Sequence, residues 1–299
     1  MPRIALIVNP LATAVDEQRL GMVQATVGRS ADVETYRTRA RGHATELARE
    51  VAGTVDAVFV FSGDGGFNEV VNGLGTNAPP VACIPGGGTS VFPRALGIPR
   101  DPVRAAEQLA DAFLRQHVRR ISVGRVNGRR FLFNGGIGLD AELVRRIEAH
   151  RSRAGRPGDA AFVATLLKLI AEHRGRFDPV LEIDGVGRAA FVFVANAHPY
   201  TYLGALPVRL APDARLELGL DLIAPARVRP RTIPRLLQYV LTGRGRPASV
   251  LAIHDADRLH ARSDEPLPLQ VDGEDIGDVT EAVFEAERNV LTVVVPSKS

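Results

Sequence analysis

A chain of 299 residues, 45% of them hydrophobic, can bury one large core or two ordinary ones. A formal charge of +3 and a pI near 9.4 are too mild to mark a nucleic-acid binder by themselves, and a single cysteine, Cys83, excludes an internal disulfide or a thiolate metal cluster. No apolar stretch reaches the roughly 18 residues that span a bilayer, and Met1-Pro2-Arg3 runs into an apolar strand with no cleavage signal, so a cytoplasmic location is expected.

Arg3 to Val8 reads as a buried strand that ends at Asn9-Pro10. Asp16 to Val27 has helical character, Asp32 to Tyr36 is a second strand, and a helix opens near Thr38–Ala44 and runs to Val51. His43 there is, on its own, an ordinary helix-start or surface histidine. Val58 to Phe61 is a short apolar run of the buried-strand type, and Ser62-Gly63-Asp64-Gly65-Gly66 breaks it before a helix-like Phe67–Leu74. A strand, a glycine turn and a helix start gather backbone N–H groups at the positive end of a helix, which is how backbone binds phosphate. Asp64 is either a ligand for magnesium or a substrate hydroxyl, or a solvated turn residue. Val81 to Pro85 repeats the pattern and leads into Gly86-Gly87-Gly88-Thr89-Ser90. Two such loops separated by one helix would lie side by side at the carboxyl edge of a parallel sheet, where open α/β folds bind ligands. Cys83 falls inside that apolar run and is expected in the core. Pro102 to Val118 is amphipathic, with Val103, Ala106, Leu109, Ala110 and Phe113 on one face.

The pattern changes near Arg119. Strands are expected at Arg120–Val126, Arg129–Asn134, Pro179–Ile183, Arg188–Ala195, Arg215–Ala224 and Ser249–His254, with Asn127-Gly128 and Asp184-Gly185 as turns. Helices are expected at Ala141–Arg151, Ala160–His173 and Ile233–Leu241, a Gly, Arg and Pro-rich loop at Ser152–Asp159, and a last strand at Val290–Val295. The fold class is therefore an α/β amino-terminal domain with a parallel sheet, residues 1–119, followed by a mainly antiparallel β domain, residues 120–288. Only Lys168 and Lys298 are lysines, and neither follows a glycine, so a Walker-type loop is excluded. A nucleotide here would be held by backbone amides, arginines and carboxylates.

Ser62-Gly63-Asp64-Gly65-Gly66-Phe67-Asn68-Glu69-Val70 resembles the Gly-Gly-Asp-Gly-Thr-x-Asn-Glu-Val signature of the diacylglycerol kinase catalytic domain family. Its leading serine is similar to the sphingosine kinases. Pro85-Gly86-Gly87-Gly88-Thr89-Ser90-Val91-Phe92-Pro93-Arg94 resembles the family's second loop, Pro-x-Gly-Thr-x-Asn-x-Phe-Ala-Arg. Asn9-Pro10, Thr38-Arg39-Ala40-Arg41-Gly42-His43-Ala44, Asn134 to Ala141, Ala211 to Asp221 and Asp272-Gly273-Glu274 are similar to further family motifs, in the family's order. The likeness covers essentially the whole chain. It implies an NAD-kinase/diacylglycerol-kinase-like fold whose last strand, near 289–296, returns to the first domain.

The resemblance implies ATP and Mg2+ as cofactors. It places the nucleotide against Asn9, Thr38, Ser62, Gly63, Asp64, Gly65, Gly66, Phe67, Asn68, Glu69, Gly87, Gly88 and Thr89. It makes Glu274 or Asp272 the base, with Asp64 as competing candidate. Without it, Asp272-Gly273 reads as a polar hairpin turn. A structural magnesium is implied at Ala214, Glu217 and Gly219, where Glu217 stands for the family's Asp. Gly66 and Gly88 replace the family's loop threonines, and Ser90 replaces an Asn. Arginines from 145 to 156 are either a surface for anionic lipid or a solvated helix end and loop.

The implied activity is an ATP-dependent lipid kinase that phosphorylates the hydroxyl of diacylglycerol or a related lipid, a sphingoid base included, in phospholipid metabolism. The lipid would be met at the inner membrane face by peripheral contact; no nucleic acid is expected, and homodimerisation is left open. An NAD-kinase-type enzyme and a degenerate member that only binds lipid or nucleotide are the alternatives.

Overall fold

The computed structural model describes residues 1–75, 77–149 and 158–297. The expected loop at Ser152–Asp159 and the arginines from 151 to 156 lie almost wholly outside these residues. The chain forms two compact units, Met1–Ser122 with Arg288–Ser299, and Val123–Glu287.

In the first unit, β1 (Arg3–Val8), β2 (Asp32–Arg37), β3 (Ala57–Ser62) and β4 (Val81–Pro85) are parallel, in the order β2-β1-β3-β4. The chain's final strand joins β4 in parallel through Val293 and Val81. β3 and β4 are buried at every position and read as unbroken apolar runs, as strands covered on both faces must. Cys83 lies in this core, as expected. The edge strand β2 alternates between half-buried and exposed positions instead. Helices α1 (Glu17–Gly28), α2 (His43–Val51), α3 (Asp64–Gly73), α4 (Val91–Ala95) and α5 (Pro102–Leu114) complete the unit, α1 packing on α5 and α2 on α3. The chain steps one way from β1 to β2 and the other way from β2 to β3. The switch point therefore lies between the carboxyl ends of β1 and β3, where the Asn9 N–H donates to the Phe61 carbonyl at 3.1 Å.

The second unit begins inside β5 (Val118–Val126). It continues through β6 (Arg129–Phe131), β7 (Asn134–Ile137), α6 (Leu139–Ala149), α7 (Asp159–Glu172), β8 (Leu181–Ile183), β9 (Gly187–Ala189) and β10 (Val192–Ala195). Then come β11 (Thr201–Leu203), β12 (Leu206–Val208), β13 (Leu220–Pro225), α8 (Ile233–Thr242), β14 (Val250–Ala256), β15 (Arg258–Val271) and β16 (Glu274–Val294). Strands β14-β13-β10-β7-β15-β16 lie side by side, every pair antiparallel. Phe131, Val192, Leu222 and Phe284 are among the side chains of its core.

The sequence marks no strand between 255 and 289, yet β15 and β16 fill it. Their facing pairs include Arg258 with Glu285 and Arg262 with Glu281. Opposite charges across an antiparallel pair support a sheet while looking, residue by residue, like a solvated linker.

Candidate active site

The two glycine loops meet backbone to backbone. The Gly86 N–H donates to the Ser62 carbonyl at 2.7 Å. A Cβ on Gly87 would come within 2.9 Å of the Gly63 Cα, so nothing larger than glycine fits there. Asp64 ties them from the side: its Oδ2 accepts from the Val91 N–H and its Oδ1 from the Phe92 N–H, both at 3.0 Å. That carboxylate stands at the start of α3 and caps α4, favourable at both helix dipoles. These two bonds give it a loop-fastening place.

Gly66 stands where the family has threonine. A Cβ there would lie 2.0 Å from the Ser62 Oγ. The Ser62 side chain thus occupies the volume that a residue-66 side chain needs, and its hydroxyl is buried with no hydrogen-bond partner among the described residues. Hydroxyl and glycine have changed places between the loop's first and fifth positions. Gly88 faces open space and Thr89 is half-buried. Ser90 adopts φ +50° and its Oγ donates to the Gly87 carbonyl at 3.0 Å.

The remaining nucleotide candidates lie around the same sheet edge. Asn9 follows β1, its Oδ1 accepting from the Leu11 N–H at 3.0 Å. Thr38 follows β2 and its N–H donates to the Val8 carbonyl at 2.8 Å. Gly65 lies in the first turn of α3, while Phe67 and Asn68 are buried in the same helix. The Glu69 Oε2 accepts from the Ala44 N–H at 3.2 Å, capping α2. The backbone chain ends of β1, β2, β3 and β4 thus form one cradle suited to phosphates.

In the second unit Asp272-Gly273 is the two-residue turn between β15 and β16, with φ +49° and +77°. That is the hairpin geometry for which Asp-Gly is suited. The Asp272 carboxylate is buried and accepts from the N–H groups of Leu132, Phe133 and Asn134 at 2.7, 2.9 and 3.1 Å. Its oxygens hold backbone, which makes it a positioning group. The Glu274 Oε2 accepts from the Arg129 guanidinium at 2.5 Å. Sequence reasoning missed Arg129, whose only signal was its place in a predicted strand.

It also missed a buried polar cluster. Tyr200 Oη and Gln270 Nε2 both donate to the Asp140 Oδ2 at 2.6 Å. The Gln270 Oε1 accepts from the Gly273 N–H at 3.0 Å, linking the cluster to the turn. Burial pushes the Asp140 carboxyl above its usual range, opposed by the Tyr200 and Gln270 hydrogen bonds. Burial, then the Asp140 charge, drives the Tyr200 phenol well upward.

At the implied structural magnesium site, Ala214 and Gly219 are buried and Glu217 is exposed. The Arg215 Nη1 donates to the Ala214 carbonyl at 2.8 Å and to that of Pro212 at 2.9 Å. A guanidinium already holds one of the oxygens a divalent ion would need, and its charge repels such an ion. As arranged, these residues do not fit Mg2+. Among the described residues no group of three His, Cys, Asp or Glu side chains is placed to hold a metal.

The arginines of the 145–156 stretch that are described are engaged. Arg145 pairs with Asp275 and Asp278, and Arg146 with Glu142 and Glu172. No described helix is long and apolar enough to cross a membrane.

One unit is a parallel sheet with paired glycine loops at the carboxyl ends of β3 and β4, the other an antiparallel β unit carrying Asp-Gly-Glu, and the likenesses to known proteins mark the chain as a kinase-type enzyme. Residues 3–126 match the diacylglycerol kinase catalytic domain, and residues 135–295 match the YegS C-terminal NAD kinase beta sandwich-like domain. The chain belongs to the diacylglycerol kinase catalytic domain family. It is 29% identical over 247 residues to a diacylglycerol kinase of Bacillus subtilis, covering 81% of this chain and 79% of that protein. It is 25% identical over 267 residues to one of Staphylococcus aureus strain Newman, covering 87% and 81%. A solved structure of a putative diacylglycerol kinase from Bacillus anthracis str. Sterne superposes with a TM-score of 0.76 at 25% identity, over 98% of this chain and 97% of that one.

Proposed function

We propose that this chain is an ATP-dependent lipid kinase that transfers the γ-phosphate to the hydroxyl of diacylglycerol or a close relative. The observation that carries the reading is the double glycine loop, closed by Asp64 on two backbone N–H groups at 3.0 Å. Such a cradle suits an anionic polyphosphate without a lysine. The donor's Mg2+, bound with the nucleotide, would neutralise charge on the transferring phosphoryl group.

The chain's own residues do the rest. Loop amides of Gly63 to Gly66 and Gly87 to Thr89 position the phosphates. Glu274, oriented by Arg129, takes the proton of the acceptor hydroxyl as its oxygen bonds to the γ-phosphorus and ADP leaves. Asp272 fixes the turn that presents Glu274.

The test is label transfer from [γ-32P]ATP to diacylglycerol, monoacylglycerol, sphingosine and ceramide in mixed micelles, with NAD as a competing acceptor. The expected product is a phosphorylated glycerolipid. In Glu274→Gln, kcat should fall by about 10²–10⁴ with the KM for ATP little changed. Phosphorylation of NAD in place of lipid, or full activity in that variant, would sink the reading.

A further inference from the structure

α8 carries more apolar surface than its unit uses. Ile233, Leu236, Tyr239 and Val240 face inward and pack on Phe177, Phe191, Val208 and Leu210. That stripe already satisfies a core-facing helix. Pro234, Leu237 and Leu241 then form a second ridge, at i, i+3 and i+7. Leu237 is 49% exposed and Leu241 44%, and Leu206, on the hairpin packed beside α8, is 50% exposed.

Charge accompanies this ridge. From 222 to 254 the sequence holds six arginines and no aspartate or glutamate. Arg227 and Arg229 pair with Asp178, and Arg246 donates to the Val250 carbonyl. Arg231 and Arg235 at the start of α8, Arg244 just past its end and Arg209 are exposed and make no side-chain hydrogen bond or ion pair among the described residues. The Arg209 N–H donates to the Val240 carbonyl at 2.7 Å, which places it beside the helix's last turn. The arginines at the start of α8 offset no helix dipole, since cations favour the other end.

We propose that α8 and the β11–β12 hairpin are the face by which this protein lies on an anionic lipid bilayer. Leu237, Leu241 and Leu206 enter the headgroup–acyl boundary, and Arg209, Arg231, Arg235 and Arg244 meet lipid phosphates. Apolar side chains flanked by unpaired cations are the chemistry of an interfacial helix. A soluble acidic protein would satisfy the arginines but not the exposed leucines. The proposal rests on the lipid-kinase reading for its purpose, not for its observations.

The test is co-sedimentation of the full chain with vesicles that contain no diacylglycerol, either phosphatidylcholine alone or phosphatidylcholine mixed with phosphatidylglycerol. The unmodified protein should bind the mixed vesicles, lose binding as salt rises, and ignore phosphatidylcholine. Arg231→Glu/Arg235→Glu/Arg244→Glu should weaken binding by about 100-fold or more, at roughly fivefold per arginine. Leu237→Ser/Leu241→Ser, which keeps every charge, should weaken it by about tenfold or more. Arg29→Glu/Arg49→Glu, exposed in the other unit, should bind as the parent does. All variants should keep the parent's circular dichroism and its rate on water-dispersed dioctanoylglycerol. Parental binding by both α8 variants, equal loss in the control pair, or equal binding to pure phosphatidylcholine would overturn the proposal. So would tight binding to duplex DNA that the leucine variant leaves untouched. Vesicle binding as expected with no turnover of dioctanoylglycerol would overturn the kinase reading and leave the surface standing.

Discussion

Ser62 and Gly66 show how two departures from the family in one loop fit each other. With the Ser62 Oγ 2.0 Å from the Cβ that residue 66 would carry, the two positions share one side chain's volume. Gly66→Thr alone should cost about 1–3 kcal/mol by overpacking and weaken ATP binding. Ser62→Gly/Gly66→Thr should recover most of both losses, a coupling of about 1–2 kcal/mol in denaturant unfolding. Additive losses would show that the sites are independent. The same scale holds Asp140, whose carboxyl burial pushes upward. An acid raised in the folded state stabilises most below its unfolded pKa of about 4 and loses that stability as pH rises towards its folded value. Asp140→Asn can accept the Tyr200 and Gln270 hydrogen bonds without ionising. Across that window the variant should gain on the parent by up to about 1.4 kcal/mol per pH unit. Parallel stability profiles from pH 4 upward would contradict this.

At the scale of elements, the βα half was legible because its signals are local. β1, β3 and β4 are short apolar runs stopped by Asn-Pro or glycine, and each begins and ends within a residue or so of its reading. α3 starts at Asp64, earlier than the apolar pattern suggests, because the glycine turn is itself its first turn. β15 and β16 were not legible. Each mixes exposed, half-buried and buried positions without a clean alternation, and their charges cancel across the pair rather than along the chain. The Asp-Gly turn could be read, but not that Asp272 would hold three backbone N–H groups from residues 132–134. Nor could the bonds of Asp64 to α4 or of Arg215 to Ala214 be read, since these are set by where loops come to rest.

For the whole molecule, Arg215 gives a test that needs no substrate. Its guanidinium serves the carbonyls of Pro212 and Ala214 in place of a bound cation. Without nucleotide, Tm should be the same in excess chelator and in millimolar Mg2+, because an ion that binds only the folded state would raise it. A Mg2+-dependent rise would return the structural ion to Ala214, Glu217 and Gly219. The pairing of Val293 with Val81 reaches further, into the way the protein is made. The edge of β4 is completed by a strand about 200 residues later in the chain. At ribosomal rates of 5–20 residues per second the nascent first unit waits roughly 10–40 s with that buried edge unpaired. The parallel-sheet half that emerges first is thus finished last, and a message cut short anywhere before Val293 yields an exposed apolar sheet rather than a smaller working domain.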